Sequence, residues 1–289
     1  MKKEQLTPVQ EQLLEMLSWF HGFCADHDLR YYALGGTMLG AVRHQGFIPW
    51  DDDVDVGMPR RDYQRFARLM KECAKGRYVL ETPDTGSQDF YYPYSKLYDT
   101  HTTLVENTRY KIKRGIYLDI FPLDGAGNTE KTALRHYRPL QWKQLLLLAM
   151  TAGRREGRNV LKNGIIALAG RIPDRFLNRK RLLQSIDAGC CSRDFDQSPW
   201  VGNLMGNWME RELAERSIFG EPTGYSFENL TIYGVQDSES YLTRLYGNWR
   251  QLPPPEKRKT HHDYLYMDLS RSFLQREECH ETGDHIRNL

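Results

Sequence analysis

The chain has 289 residues, of which 40% are hydrophobic and 12% aromatic, and its formal net charge is +2. This composition excludes global disorder, since it supplies enough apolar material for a packed core. The small net charge argues against a general nucleic-acid-binding protein. Five cysteines without C-x-x-C spacing predict neither a zinc site nor a disulfide framework, and they favour a reducing cytoplasm. No run approaches the roughly 20 apolar residues needed to cross a bilayer, so we expect a cytoplasmic protein.

The N-terminal region predicts two helices around a short strand. Apolar residues recur at helical spacing over residues 8–28, and residues 31–34 are a strand candidate that leads into Gly35-Gly36. Thr37 then opens a second helix. Glycines at this junction allow the backbone to approach a phosphate closely, and the amide groups at a helix N-terminus favour anions.

Residues 51–56 contain four carboxylates within five positions. Such charges repel one another at neutral pH, so a cation is expected nearby. If the segment is a strand, its alternation turns Asp51, Asp53 and Asp55 to one face and Asp52 away from it. Clusters of oxygen ligands suit Mg²⁺ or Mn²⁺, with phosphate oxygens completing the shell. The segment therefore predicts a metal-dependent enzyme that acts on a phosphate-containing substrate.

Two other interpretations of this acidic segment are less consistent with the sequence. A calcium loop of the EF-hand type requires glycine at its sixth position, which is Val56 when the count starts at Asp51. A solvated acidic turn is the usual explanation for a run of charge, but the flanking Ile48 and Trp50 would bury the segment. We favour the carboxylate platform of a nucleotidyltransferase-like fold, which adds a third acid from a neighbouring strand.

The third acid is expected on a strand at residues 115–122, where Asp119 lies among apolar residues. A carboxylate in such surroundings is costly unless it is paired, protonated or metal-bound. Taken alone, an ordinary half-buried strand aspartate explains Asp119 equally well. Arg43, His44 and Lys96 are candidates to neutralise phosphate charge, because ionised donors bind phosphate oxygens strongly. Exposed loop side chains with no such role remain the alternative for each of the three.

The middle of the chain predicts helices, and its residues 151–181 hold nine basic side chains against two acidic ones. This segment predicts either a surface for anionic lipid headgroups or a polyanionic acceptor, or else a solvated helical face. Further on, residues 253–255 are three prolines, followed by a basic string that ends at His262. His262 could reach a phosphate, and a structural tail that wraps around the domain is an equal alternative.

Residues 36–56 resemble the signature of the LicD family, bacterial phosphocholine transferases related to fukutin and fukutin-related protein. Residues 96–99, residues 115–122, and the stretch from Tyr246 to the His261-His262 pair resemble later motifs of the same family. The basic segment between these motifs has no counterpart that we recognise, and it could determine the choice of acceptor.

The resemblance implies an α+β fold with a nucleotidyltransferase-like mixed sheet flanked by helices and a helical, basic insertion. The implied division is a catalytic core at residues 1–128, the insertion at 129–200, a C-terminal part completing the catalytic domain at 201–267, and a polar tail at 268–289.

The resemblance also implies transfer of a phospho-alcohol group, typically phosphocholine from CDP-choline, to a sugar hydroxyl. The acceptor would be a cell-surface glycan such as lipopolysaccharide, teichoic acid or capsule, or its lipid-linked precursor, with peripheral membrane contact and no nucleic acid. Two rival functions stay open: a nucleotidyltransferase that releases pyrophosphate, and a non-catalytic glycan-binding module on the same fold.

In this scheme Asp53 and Asp55 hold two Mg²⁺ or Mn²⁺ ions, and Asp119 shares one of them and helps to deprotonate the acceptor. Asp51 would be an additional ligand or a supporting partner. The residues assigned to substrate binding are Gly35, Gly36, Thr37, Arg43, His44, Lys96 and His262.

Overall fold

The computed structural model describes residues 5–72, 76–87, 89–109, 111–151, 178–260, 262 and 264–275. Most of the basic segment predicted to meet a membrane or a polyanion lies outside the described residues, as does most of the predicted polar tail. Those expectations, and the predicted division into four segments, stay predictions. No helix in the described part of the chain is long and apolar enough to cross a membrane.

Seven α-helices lie among the described residues. They are α1 (Pro8–Asp26), α2 (Gly35–His44), α3 (Arg60–Glu72), α4 (Glu130–Thr151), α5 (Arg179–Cys190), α6 (Arg216–Phe219) and α7 (Ser238–Tyr246). Helix α1 begins at a capping box, in which the Thr7 hydroxyl accepts from the Gln10 amide and the Gln10 side chain accepts from the Thr7 amide. These two bonds satisfy backbone donors that the first turn of a helix leaves free.

Twelve strands are formed by the described residues. They are β1 (Tyr32–Ala33), β2 (Asp55–Pro59), β3 (Tyr78–Glu81), β4 (Ser95–Asp99), β5 (Thr103–Glu106), β6 (Lys113–Arg114), β7 (Tyr117–Gly127), β8 (Trp200–Gly202), β9 (Leu213–Glu215), β10 (Thr223–Phe227), β11 (Leu230–Gly234) and β12 (Tyr264–Asp268).

The strands build a mixed sheet of nine strands in the order β10-β11-β1-β2-β7-β4-β3, which β8 and β9 extend beside the second half of β7. β1 is parallel to β11, and β2 is parallel to β7. The remaining pairs of this sheet are antiparallel. A smaller sheet holds β12, β5 and β6. The predicted α+β architecture with a mixed sheet is therefore confirmed.

Helices pack against the sheet around one large apolar core, which fixes the position of the two central strands. From α1, Met16, Leu17 and Phe20 are fully buried, and Leu118 and Ile120 of β7 join the same core. Full burial of one such side chain contributes about 1.5–3 kcal/mol. All eleven residues of β7 are buried, so the two acids that β7 carries, Asp119 and Asp124, have little freedom to move.

The structure corrects one prediction about the acidic segment. The strand begins at Asp55 and ends at Pro59, and residues 51–54 precede it without regular structure. Consecutive aspartates fit a pleated strand poorly, and the Asp51 amide donates instead to the Ile48 carbonyl in a turn. The alternation of strand side chains therefore does not apply to Asp51, Asp52 and Asp53. The helix at residues 8–28 and the strands at 31–34 and 115–122 are confirmed, as α1, β1 and β7.

Candidate active site

Two of the three predicted acids lie side by side on the central strands. β2 and β7 are parallel, and their register places Asp55 opposite Asp119. On the other side of β7, β4 is antiparallel and places Lys96 opposite Asp119. Because neighbouring strands are about 4.8 Å apart, Asp55, Asp119 and Lys96 form a row across three strands.

Asp51 and Asp53 approach this row from the turn before β2. We call Asp51, Asp53, Asp55 and Asp119 the acidic centre. A Cβ added to Gly36 would lie 2.8 Å from Asp51 Oδ2, and one added to Gly35 would lie 3.5 Å from Asp55 Oδ2. Gly35 also has a φ of +49°, which other residues adopt at a cost. Gly36 thus makes room for the Asp51 carboxylate, Gly35 supplies the positive φ, and the helix N-terminus faces negative charge that it stabilises.

Asp51, Asp55 and Asp119 hold protons more tightly than usual. Burial, followed by the charge of Asp53, raises the pKa of Asp51 to about 8. Burial and the charges of Asp53 and Asp119 raise the pKa of Asp55 well above its ordinary value. Burial also raises the pKa of Asp119 to about 6, although the Lys96 ammonium opposes that shift. A nearby cation would favour the ionised form of Asp51, Asp55 and Asp119.

This donor set fits a hard divalent cation. Its atoms are carboxylate oxygens, which Mg²⁺ and Mn²⁺ prefer, and they repel one another until a cation or a proton separates them. In the described part of the chain, no three acid, histidine or cysteine side chains already form a closed metal cage. The carboxylates would therefore need to adjust their rotamers when they take up an ion.

Lys96 is buried in the centre. The residue is 1% exposed, and Nζ lies 2.7 Å from Asp119 Oδ1. The alternative that Lys96 is an exposed loop residue is therefore wrong. Its predicted contact with substrate phosphate stays a prediction.

Asp52 also takes part in the centre, which corrects the expectation that it points away. Its Oδ1 accepts from the Thr260 hydroxyl at 2.6 Å and lies 2.8 Å from Nδ1 of His262. The other ring nitrogen of His262 is 3.6 Å from Asp53 Oδ2. Burial lowers the pKa of His262, but the bond to Asp52 and the charge of Asp53 outweigh it and raise the pKa to about 9. His262 is thus a cation at neutral pH.

Thr37 supports the centre through the backbone. Its hydroxyl accepts from the Asp55 amide at 2.9 Å, and this bond fixes the first residue of β2 beside the start of α2. The hydroxyl oxygen is thus already engaged with the protein, whereas the sequence predicted a contact with substrate.

Arg43 and His44 lie at the opposite end of α2 from the acids. Arg43 Nε donates to His44 Nε2 at 3.0 Å, and Arg43 Nη1 donates to the Trp249 carbonyl at 2.7 Å. Burial lowers the pKa of both side chains. They line a separate cavity of about 630 Å³ that also includes Trp50 and Arg258. The structure does not bring Arg43 and His44 into contact with the acidic centre.

The sequence did not reveal Glu212, a buried carboxyl group close to the centre. Glu212 is 6% exposed and lines a cavity of about 30 Å³ together with Gly35 and Asp55. Burial raises its pKa to about 8, although the Trp208 amide, which donates to it, opposes the shift. Glu212 directly follows the charged Glu210 and Arg211 in the sequence, so no local signal distinguishes it from a surface residue.

Comparison with known proteins agrees with this geometry. Residues 28–160 match the family described as LicD/FKTN/FKRP, nucleotidyltransferase domain. Lipopolysaccharide cholinephosphotransferase LicD of Haemophilus influenzae is 28% identical over 269 residues, which cover 91% of this chain and 97% of that protein. Ribitol 5-phosphate transferase FKRP of Homo sapiens is 53% identical over 34 residues, 12% of this chain and 7% of that protein. Residues 28–160 therefore match the nucleotidyltransferase domain of the LicD family, and the chain is similar to a LicD protein along most of its length.

Proposed function

We propose that the chain is a metal-dependent phosphotransferase that moves a phospho-alcohol group onto a sugar hydroxyl of a glycan or of its lipid-linked precursor. Phosphocholine, donated by CDP-choline, is the first candidate. The observation that carries the proposal is the convergence of Asp53, Asp55 and Asp119, with Asp51, at the start of α2. The match to the Haemophilus influenzae cholinephosphotransferase along nearly its whole length supports the same reaction class.

The four acids would hold Mg²⁺ or Mn²⁺. When bound, the cation neutralises charge on the phosphate oxygens and on the oxygen that leaves. Two of the acids come from rigid positions, Asp55 and Asp119 on the paired strands β2 and β7. Ligands on rigid elements hold their geometry better than ligands on long loops.

Asp119 is the proposed proton acceptor. The oxygen of the acceptor hydroxyl forms a bond to the phosphorus that bears the alcohol, the bond from that phosphorus to the nucleoside monophosphate oxygen breaks, and the hydroxyl proton moves to the Asp119 carboxylate. A pKa of about 6 keeps Asp119 ionised at neutral pH and still basic enough to accept a proton.

The cationic His262 is the proposed contact for a donor phosphate. It stands 3.6 Å from Asp53, at the edge of the acids, and Asp52 fixes which ring nitrogen faces them. An ionised donor so placed would form a charge-assisted hydrogen bond to a phosphate oxygen. Gly35 and Gly36 stand at the start of α2 beside Asp51 and Asp55, which supports their proposed place next to the donor.

A ligand screen by thermal shift tests the proposal. The chain is mixed with Mg²⁺ and one of CDP-choline, CDP-ethanolamine, CDP-glycerol, CDP-ribitol or CTP, and Asp53→Asn serves as the matched control. We expect CDP-choline to raise the melting temperature, because a ligand that binds only the native state stabilises it, and we expect Asp53→Asn to lose most of that rise. A rise with CTP alone would favour the pyrophosphate-releasing reaction, and no rise with any of the five ligands would favour a non-catalytic module.

A further inference from the structure

Among the described residues, Lys96 is the one cationic side chain that lies within the row of strand acids. Its ammonium nitrogen is 2.7 Å from Asp119 Oδ1, and Asp119 is opposite Asp55 on the next strand. Beyond this ion pair, Asp119 Oδ1 is buried and accepts no hydrogen bond. The charge of this oxygen is therefore balanced by Lys96.

Three tyrosine rings enclose the ammonium group of Lys96. Nζ lies 3.3 Å from the ring centroid of Tyr117, 4.2 Å from that of Tyr92 and 5.8 Å from that of Tyr94. Aromatic faces attract a cation, and more strongly where water is excluded. With 1% of its surface exposed, Lys96 has no solvated position to which it could withdraw. Its charge is a permanent part of the centre.

The other acids near the row differ from Asp119 in their cationic partners. Asp52 and Asp53 share the cationic His262. In the described part of the chain, Asp51 and Asp55 form no ion pair. The negative charge without an ion-pair partner is therefore concentrated on Asp51 and Asp55, next to Asp53.

We propose that Lys96 is a built-in cation that takes the place of a second divalent ion beside Asp119, so that the centre binds one divalent ion rather than two. That ion would be held by Asp53 and Asp55 with Asp51. A two-ion centre places its cations about 3.5–4 Å apart to stabilise the attacking and the leaving oxygens. Here a fixed ammonium supplies one of the two charges. The inference rests on the proposed metal-dependent function, and it replaces both the expectation of two ions and the proposed place of Asp119 among the metal ligands.

Binding of Mn²⁺ alone tests the inference without measuring activity. The purified full chain is titrated with Mn²⁺ by calorimetry, and the bound ion is observed by electron paramagnetic resonance. The variants are Lys96→Met, which removes the charge at similar length, and Lys96→Arg, which keeps it. We expect one Mn²⁺ per chain and the spectrum of an isolated ion in the wild type and in Lys96→Arg, and two Mn²⁺ per chain in Lys96→Met.

The outcomes separate this inference from the proposed function. Two Mn²⁺ per wild-type chain with a spin-coupled spectrum would overturn the inference and leave metal dependence standing. One Mn²⁺ in a folded Lys96→Met chain would overturn the role of Lys96. No binding of Mn²⁺ by the wild type would overturn metal dependence itself. If Lys96→Met does not fold, the wild-type spectrum still distinguishes one ion from two.

Discussion

Strand β7 carries two buried aspartates, Asp119 and Asp124, whose surroundings are very different. Asp124 accepts two hydrogen bonds from the Arg60 guanidinium, at 2.8 and 2.6 Å, and Arg60 also pairs with Asp187. Asp119 has a single ammonium, that of Lys96, at 2.7 Å, and it lies beside further acids. Both carboxyl groups are removed from water, yet only Asp124 has donors for both of its oxygens.

This contrast shows that burial of an acid does not by itself mark a functional site. A carboxylate with a bidentate arginine partner has both oxygens hydrogen-bonded and its charge balanced. Such a group does not need a further ligand. A group of buried acids with too few hydrogen-bond donors must keep protons or bind a cation. The raised pKa values of Asp51 and Asp55 are the consequence of this shortage. We therefore assign a structural role to Asp124 and a chemical role to Asp119.

The largest expected effect is on catalysis. Asp53→Asn and Asp55→Asn should each lower the rate of transfer by about 10³-fold or more, because each removes a charged ligand of the proposed cation. Both variants should keep the wild-type melting temperature or exceed it, since each relieves repulsion between acids. The checks are a transfer assay with CDP-choline and Mg²⁺ and a melting curve. Normal transfer by either variant would remove the acidic centre from the mechanism.

The next largest effect is expected on stability, at the buried ion pair between Arg60 and Asp124. Asp124→Asn should lower the free energy of unfolding by about 3–5 kcal/mol, because it removes one partner of a buried ion pair. Activity per folded molecule should stay near the wild-type value. Urea unfolding measures the first quantity, and an assay normalised to the folded fraction measures the second. If Asp124→Asn lost transfer and kept its stability, the contrast between the two aspartates would be reversed.

A third effect depends on pH. Glu212 keeps its proton up to a pKa of about 8, against an ordinary value of 4.5, so the unfolded chain binds fewer protons than the folded chain between these values. The stability of the wild type should therefore fall as pH rises from about 4.5 to 8. Glu212→Gln should avoid this loss and gain on the order of 3 kcal/mol relative to the wild type at pH 8.

Unfolding of the wild type and of Glu212→Gln at pH 5 and pH 8 measures this difference. Glutamine keeps an oxygen that can accept from the Trp208 amide, so the variant changes mainly the charge. An equal stability difference at both pH values would show that Glu212 titrates as an ordinary surface acid.

The smallest effect is expected at an exposed ion pair. Glu239 pairs with Arg250 on the surface, with roughly half of each side chain in solvent. Glu239→Gln should shift the melting temperature by no more than about 2 °C, because exposed pairs contribute little. A shift as large as that of Asp124→Asn would mean that partner number, rather than burial, dominates ion-pair energetics in this protein.

Patterns of neighbouring residues in the sequence predicted the secondary-structure elements that carry the site. The spacing of apolar residues predicted α1, and the apolar run around Asp119 predicted β7 with an acid inside it. The Gly35-Gly36 pair marked a close approach at the start of α2, although the groups that approach are carboxylates.

The rest of the site depends on contacts between distant segments. The partnership of Lys96 with Asp119 follows from the pairing of β4 with β7, and no local pattern fixes that register. His262 reaches Asp52 from 210 residues further along the chain. The alternation rule grouped Asp51 with Asp53 and Asp55 correctly, but for the wrong reason, because residues 51–54 are not a strand.

The most direct test of the proposed reaction is to identify its products. The chain is incubated with Mg²⁺, CDP-choline and a glycan acceptor, and in parallel with a nucleoside triphosphate and the same acceptor, and the products are resolved by mass spectrometry. We expect CMP and an acceptor that carries phosphocholine from the first reaction, and no product from the second. An acceptor that carries a nucleoside monophosphate, with pyrophosphate released, would contradict the proposed transfer.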